Sequence, residues 1–183
     1  MLLAEDETDL LLFPPLRSCW ALRGQPAYVP LSGRNARRVI FGALNLRTGH
    51  RLLLPREHQR AVDFQAFLRF VHNQYRGWRV TWLLDEDSSH TALSSQQLAE
   101  RLSMKLIWLP KRSPELNPLD HLWGHGKDVI CANRQYETIE SQVARFIDYI
   151  TSLSNTDALR KAGILSGGFW LANVMSKDFC GPA

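Results

Sequence analysis

Residues 78–110 constrain the fold most tightly. "WRVTWLLD" is a β-rich apolar run ending at Asp85, "SSQQLAERL" has the pattern of a short helix, and "MKLIWLP" is a further β-rich run. Strand, helix, strand predicts a parallel pair with a right-handed crossover. Ahead of this unit, "MLLAE" reads as a first strand ending at Asp6, while "RRVIFGAL" and "HRLLLP" are strands joined by the hairpin signal "NLRTG". From Gln59 to Tyr75, the residues Phe64, Phe67, Leu68, Val71 and Tyr75 recur at helical spacing on one face, and Gly77 stops that helix. "LDHLWGHGKDVI" and "TIESQVARFIDYITSL" read as two later helices, the second with Ile139, Val143, Phe146, Ile147 and Ile150 on one side. Together these elements predict an α/β layered fold: a mixed five-stranded sheet, made of an antiparallel hairpin plus parallel strands, flanked by helices.

A chain of 183 residues suits one domain. Its 45% apolar and 22% charged residues are close to a globular average, without repeats or low-complexity tracts. There is no apolar run long enough to span a bilayer, and "MLLAEDETD" turns acidic at once and lacks the basic-then-apolar plan of a signal peptide, so a cytoplasmic protein with no membrane partner is expected. Cys19, Cys131 and Cys180 are odd in number and far apart, which argues for reduced thiols rather than a disulfide framework or a zinc cluster. The net charge of +4 is compatible with a nucleic-acid partner. Arg34, Arg37 and Arg38 cluster in "SGRNARR", and Lys111 and Arg112 stand in the loop "LPKRSPELNP".

Asp6 is expected after the first strand and Asp85 after the fourth, at the carboxyl edge where ligands gather in open α/β sheets. Asp120 follows a proline-rich loop at the start of a helix. Each alone is as compatible with a cap or a solvated turn. Three hard oxygen donors at such edges suit Mg²⁺ or Mn²⁺ rather than zinc, and a carboxylate cluster is what holds two divalent ions about 3.5–4 Å apart.

The blocks "LAEDET", "WLLDEDSSH" and "LPKRSPELNPLDHLW", in that order, resemble the catalytic blocks of bacterial insertion-sequence transposases of the mariner-like DDE/DDD superfamily, and the likeness runs from Leu2 to about Leu153. The 34 residues from 86 to 119 that separate Asp85 from Asp120 match the spacing of the mariner-type aspartate triad. The resemblance implies a ribonuclease-H-like catalytic domain over residues 1–155, with 156–183 as a C-terminal tail. It also implies that Asp6, Asp85 and Asp120 bind two Mg²⁺ or Mn²⁺ ions and catalyse strand cleavage and strand transfer on DNA, both at the element's ends and at the target.

Glu7, Glu86, His90, Asn117 and His121 are expected beside the metal ligands, and Arg34, Arg37, Arg38, Lys111 and Arg112 on DNA phosphates. Further expectations are a homodimer in the synaptic complex and association with the bacterial nucleoid. The helix-turn-helix module that such proteins carry ahead of the catalytic domain does not fit before the first strand, so the expectation is a truncated element, the downstream product of a split or frameshifted reading frame with a separately encoded DNA-binding half, or a wrongly placed start. Two other functions remain open: a nuclease that only hydrolyses, or a non-catalytic remnant that binds DNA or a transposase.

This chain departs from the family pattern in two places. The usual Asp-Asn of the second block is Asp85-Glu86, and the usual "LPPYSP" is "LPKRSP", with two cations. His121 and His125 have the i, i+4 spacing of zinc ligands, but a zinc protease needs a glutamate where Leu122 stands. Of Trp20, Trp82, Trp108 and Trp123, at least three are expected in the core rather than as base-stacking platforms.

Overall fold

The computed structural model describes residues 1–173. Among them, strands β1 (Leu2–Leu11), β2 (Arg37–Asn45), β3 (Arg51–Arg56), β4 (Val80–Leu84) and β5 (Met104–Trp108) form one sheet in the order β3-β2-β1-β4-β5. β1 pairs antiparallel with β2, and β2 with β3, while β1–β4 and β4–β5 are parallel. The expected hairpin and the strand–helix–strand unit are both present, on opposite sides of β1. The helices are α1 (Ala61–Gln74), α2 (Ser88–Thr91), α3 (Leu93–Arg101), α4 (Pro118–Ile130), α5 (Ile139–Ser152) and α6 (Asn155–Lys161).

Helices cover both faces of the sheet. On one, Phe64, Phe67, Leu68 and Val71 of α1 pack with Leu98 of α3 on Leu3, Phe41, Trp82 and Leu84, as the spacing in α1 predicts. On the other, Leu122 and Trp123 of α4, Phe146 and Ile150 of α5, and Leu159 of α6 pack on Ala4, Ile40, Leu44 and Leu83. Trp82 and Trp123 are buried and Trp108 is half-buried, while Trp20 is exposed in the connection 12–36. Residues 158–164 belong to this second layer, with Ala158, Leu159, Ala162 and Ile164 buried, so the expected tail begins inside the fold. Cys131 is buried and Cys19 exposed, while Cys180 lies outside the described residues.

Two glycines let α4 settle closely. A Cβ on Gly42 would stand 2.3 Å from the Trp123 ring, and one on Gly126 would stand 2.8 Å from Phe146 of α5. Since Gly42 pairs with Asp6, the indole lying over it brings α4 down beside the acidic stretch of β1. Gly124 faces open space.

β1 differs from expectation in length. The acidic run "EDETD" reads as the end of a strand, yet β1 continues to Leu11. Its parallel pairing with β4 stops at Ala4↔Leu83, whereas its antiparallel pairing with β2 runs on to Leu11↔Arg37. Asp6 therefore lies within a strand rather than after one, but just past the point where β4 has departed. It still stands at the carboxyl edge of the parallel half of the sheet.

Candidate active site

Successive strand residues point to opposite faces, so β1 divides its acids. Asp6 shares a face with Ala4, towards α4, and Glu5 and Glu7 share the other with Leu3. Asp85 is the first residue beyond β4. Asp120 lies in the first turn of α4, whose start is fixed by Asn117. The Asn117 side chain caps α4 by accepting from the Leu119 N–H at 3.1 Å, and its amide donates to the Glu5 carbonyl at 2.7 Å. One buried side chain thus sets the helix start and ties it to the backbone of β1. Pro118 at the first helical position costs no hydrogen bond and presets the backbone there.

Asp6, Glu7, Asp85, Arg112, Asn117 and Asp120 line one cleft of about 220 Å³. Burial, then the neighbouring Glu7, Asp85 and Asp120 charges, push the Asp6 carboxyl well above the usual range. A concave site that holds three aspartates at such electrostatic cost suits a hard divalent cation, which would relieve that cost.

His90 lies behind the cleft, fully buried on α2. Its Nδ1 is 3.0 Å from Asp85 Oδ1 and 3.1 Å from the Asp85 carbonyl, and its Nε2 is 3.0 Å from Glu7 Oε1 and 3.2 Å from Glu5 Oε2. Burial alone would strip the ring of its charge, but Glu5, with the hydrogen bonds to Asp85 and Glu7, outweighs it and raises the pKa to about 12. The hydrogen bond from His90 in turn holds Asp85 below the usual carboxylate range. Burial pushes Glu5 well up and Glu7 up. Glu5, Glu7 and His90 also offer one ligand atom each within 4.8 Å of one another, a second donor set in which Glu5 and His90 are buried and Glu7 reaches the cleft.

These shifts predict a pH dependence. The charged His90 contributes stability that is complete below its unfolded pKa of about 6.5. This contribution is lost as the pH rises towards about 12. Asp6, raised in the fold, retains a proton that the unfolded chain releases above about pH 4, and so acts in the same direction. Asp85, lowered, opposes both only in acid. Without divalent cations, the melting temperature is expected to fall from about pH 5 to about pH 9. Thermal melts across that range check this, and a steady rise would contradict the assigned protonation.

The remaining residues singled out from sequence are dispersed. Glu86 Oε2 pairs with Lys111 Nζ at 3.1 Å, joining the loop after β4 to the loop after β5. Arg112 instead lines the cleft, from a left-handed backbone of φ 59°. Arg37 pairs with Asp9 at 2.8 Å, and Arg38 with Glu140 at 2.5 Å, at the far end of β1 from Asp6. Arg34 is exposed in the connection before β2. His121 is exposed beside Gly163, and His125 turns to the Tyr149 hydroxyl at 2.5 Å, so the pair does not form a zinc site. Sequence reasoning missed Glu5. Its only signal was the i, i+2 relation to Glu7, which places both carboxylates on one face of β1.

A family model described as DDE superfamily endonuclease matches residues 2–142. The insertion element IS630 uncharacterized 39 kDa protein of Shigella sonnei is 27% identical over 152 residues, covering 82% of this chain and 44% of that protein. The mariner Mos1 paired end complex with Mg superposes with a TM-score of 0.69 at 21% identity, over 88% of this chain and 51% of that one. The crystal structure of the catalytic domain of Mos1 mariner transposase does so with 0.60 at 19%, over 88% and 74%. The chain spans about half the length of the Shigella protein and of the Mos1 chain in the paired end complex. The superpositions establish the ribonuclease-H-like fold.

Proposed function

The chain belongs to the DDE superfamily of endonucleases, and from that premise we propose that it is the catalytic domain of an insertion-sequence transposase, cutting and joining DNA strands with two divalent cations, Mg²⁺ or Mn²⁺. The observation that carries this reading is the convergence of Asp6, Asp85 and Asp120, from two strand positions and a helix start, on one open cleft. The domain extends over residues 1–155 together with α6, which packs into its second layer. Its substrates are the element's ends and target DNA, handled by two copies in a synaptic complex on the bacterial nucleoid.

Cations bound there supply a lowered pKa for attacking water or a 3′-hydroxyl and charge neutralisation for the departing oxygen. Asp6, Asp85 and Asp120 are the ligands. Asp85 accepts from His90 Nδ1 and from the Asp87 N–H on the same oxygen, Oδ1, which leaves its other oxygen for the cleft. Asn117 fixes the start of α4, so Asp120 is delivered by a capped helix instead of a loose loop. Arg112, at the mouth, approaches the phosphate, and Arg34, Arg37 and Arg38 lie along flanking DNA. Exposed ion pairs such as Arg37–Asp9 are weak enough for phosphate to compete.

A strand-transfer assay tests the reading. With Mg²⁺, a labelled duplex carrying a precut end is expected to be joined to target DNA. Nicking without joining would instead support a hydrolytic nuclease, and binding without either reaction a non-catalytic DNA-binding remnant. The loop cations are separable as well. Arg112→Ala is expected to weaken DNA binding across sequences and to reduce the salt slope by about one. Lys111→Ala is expected to do less, because Lys111 is already paired with Glu86. A salt titration of binding checks both, and an unchanged slope in both variants removes the pair from the contact surface.

A further inference from the structure

Glu5 is a fully buried carboxylate to which the proposed reaction gives no role. Among the described residues neither of its oxygens has a hydrogen-bond partner, although Oε2 is within ion-pair distance of His90 Nε2, at 3.2 Å. Leaving a carboxylate so placed is costly unless an opposite charge faces it. Here that charge is the imidazolium. Both ring nitrogens of His90 face acceptors, Nδ1 those of Asp85 and Nε2 those of Glu7 and Glu5, and the Phe64 ring closes over it with centroids 4.4 Å apart.

The position of this ring gives Glu5 its consequence. Backbone pairing between β1 and β4 ends at Ala4↔Leu83, so nothing in the sheet ladder ties Asp85 to β1. His90 makes that tie, with Glu5 and Glu7 of β1 on one ring nitrogen and Asp85 on the other. It is carried by α2, a helix of 4 residues that is too short to hold itself in place. Glu5 and Glu7 anchor the ring, and the ring anchors Asp85.

We propose that Glu5 is a positioning residue which, acting through His90, braces Asp85 in the orientation that binds the divalent cation. This rests on the reading of Asp85 as a cation ligand. Glu5 touches neither cation nor DNA. Its effect falls on cation affinity, as with other residues that orient a metal ligand from behind, whose loss typically weakens binding by about 10–100-fold.

The test is Mn²⁺ binding to the whole chain, read from the electron paramagnetic resonance signal of free Mn²⁺, with thermal melts as a control for folding. Glu5→Gln keeps the shape and removes the charge. It is expected to raise the Mn²⁺ dissociation constant by about tenfold, and cleavage should recover at saturating Mn²⁺. In a His90→Asn background, Glu5→Gln should add no further loss, since its route to Asp85 is already cut. Wild-type affinity in Glu5→Gln, or an equal added loss in both backgrounds, overturns the proposal. If Glu5→Gln does not fold, Glu5→Asp keeps the charge but withdraws it from the ring. Weakened Mn²⁺ binding in that variant supports the brace, and wild-type binding overturns it.

Asp120→Asn separates this from failure of the underlying reading. If Asp120→Asn loses Mn²⁺ while Glu5→Gln binds normally, only the brace is wrong. If Asp120→Asn keeps Mn²⁺ while Glu5→Gln loses it, the cation sits among Glu5, Glu7 and His90, and both readings fall.

Discussion

Asparagine at Asp85 or at Asp120 is expected to reduce Mg²⁺-dependent strand cleavage by about a thousandfold or more, on the order of 4 kcal/mol of transition-state stabilisation. Each substitution keeps the size and most hydrogen bonds of the side chain, and removes a full charge from the proposed cation site. The fold should survive. Asp120 is exposed, and Asp85 is held at Oδ1, an acceptor that the carboxamide retains. Asp120→Asn should even raise the melting temperature slightly without divalent cations, because the Asp120 charge is one of those pushing Asp6 upwards. Single-turnover cleavage of a labelled duplex, with a melt of each variant, checks both parts. Undiminished cleavage in either variant would remove the aspartate triad.

Arg51→Met is expected to have the largest effect on stability, about 3 kcal/mol, from several charge-assisted hydrogen bonds lost at once. Arg51 is a buried arginine with no carboxylate partner among the described residues. Its Nε donates to the Ile150 carbonyl at 2.6 Å, its Nη2 to the carbonyls of Thr151, at 2.8 Å, and Leu153, and its Nη1 to the Gly49 carbonyl at 3.0 Å and Asn155 Oδ1 at 3.2 Å. A helix ends with carbonyls that have no partner within it, and its dipole favours a cation there. One planar guanidinium meets both needs at the end of α5 while reaching the hairpin turn and the start of α6. Lysine, with a single ammonium, cannot span these acceptors. The melting temperature of Arg51→Met should drop by roughly 6–12 °C, and Arg51→Lys should recover less than half of that. A shift within about 2 °C for Arg51→Met would show that the latch is dispensable.

Neither the latch nor the brace was legible in the sequence, for a common reason. Arg51 reads as an ordinary cation after a hairpin turn, and three of the four carbonyls it meets belong to residues about a hundred positions later. Glu5 reads as one acid in a polar run. Its charge is faced by His90, which the chain returns to β1 only after three strands and a helix. The loop cations show the same gap at shorter range. Lys111 and Arg112 are neighbours of one charge class, yet the turn sends Lys111 to Glu86 and leaves Arg112, in a left-handed conformation, at the cleft. The length of β1 was misjudged because local polarity argued for an end, whereas pairing with β2 supports the strand to Leu11.

By itself the sequence determined the order and type of the main elements, because a core face must repeat at the period of its helix or strand, as Phe64, Phe67, Leu68 and Val71 do in α1. It also determined which carboxylates to suspect, because Asp85, Asp120 and the proline-rich loop between β5 and α4 carry a recognisable spacing. Only the tertiary structure decided what the two alternating sets of acids on β1 meet. Asp6 faces Asp120 across the cleft, while Glu5 and Glu7 turn to a buried histidine. That division depends on which helix covers each face of a strand, a matter of packing between distant segments that no local pattern encodes.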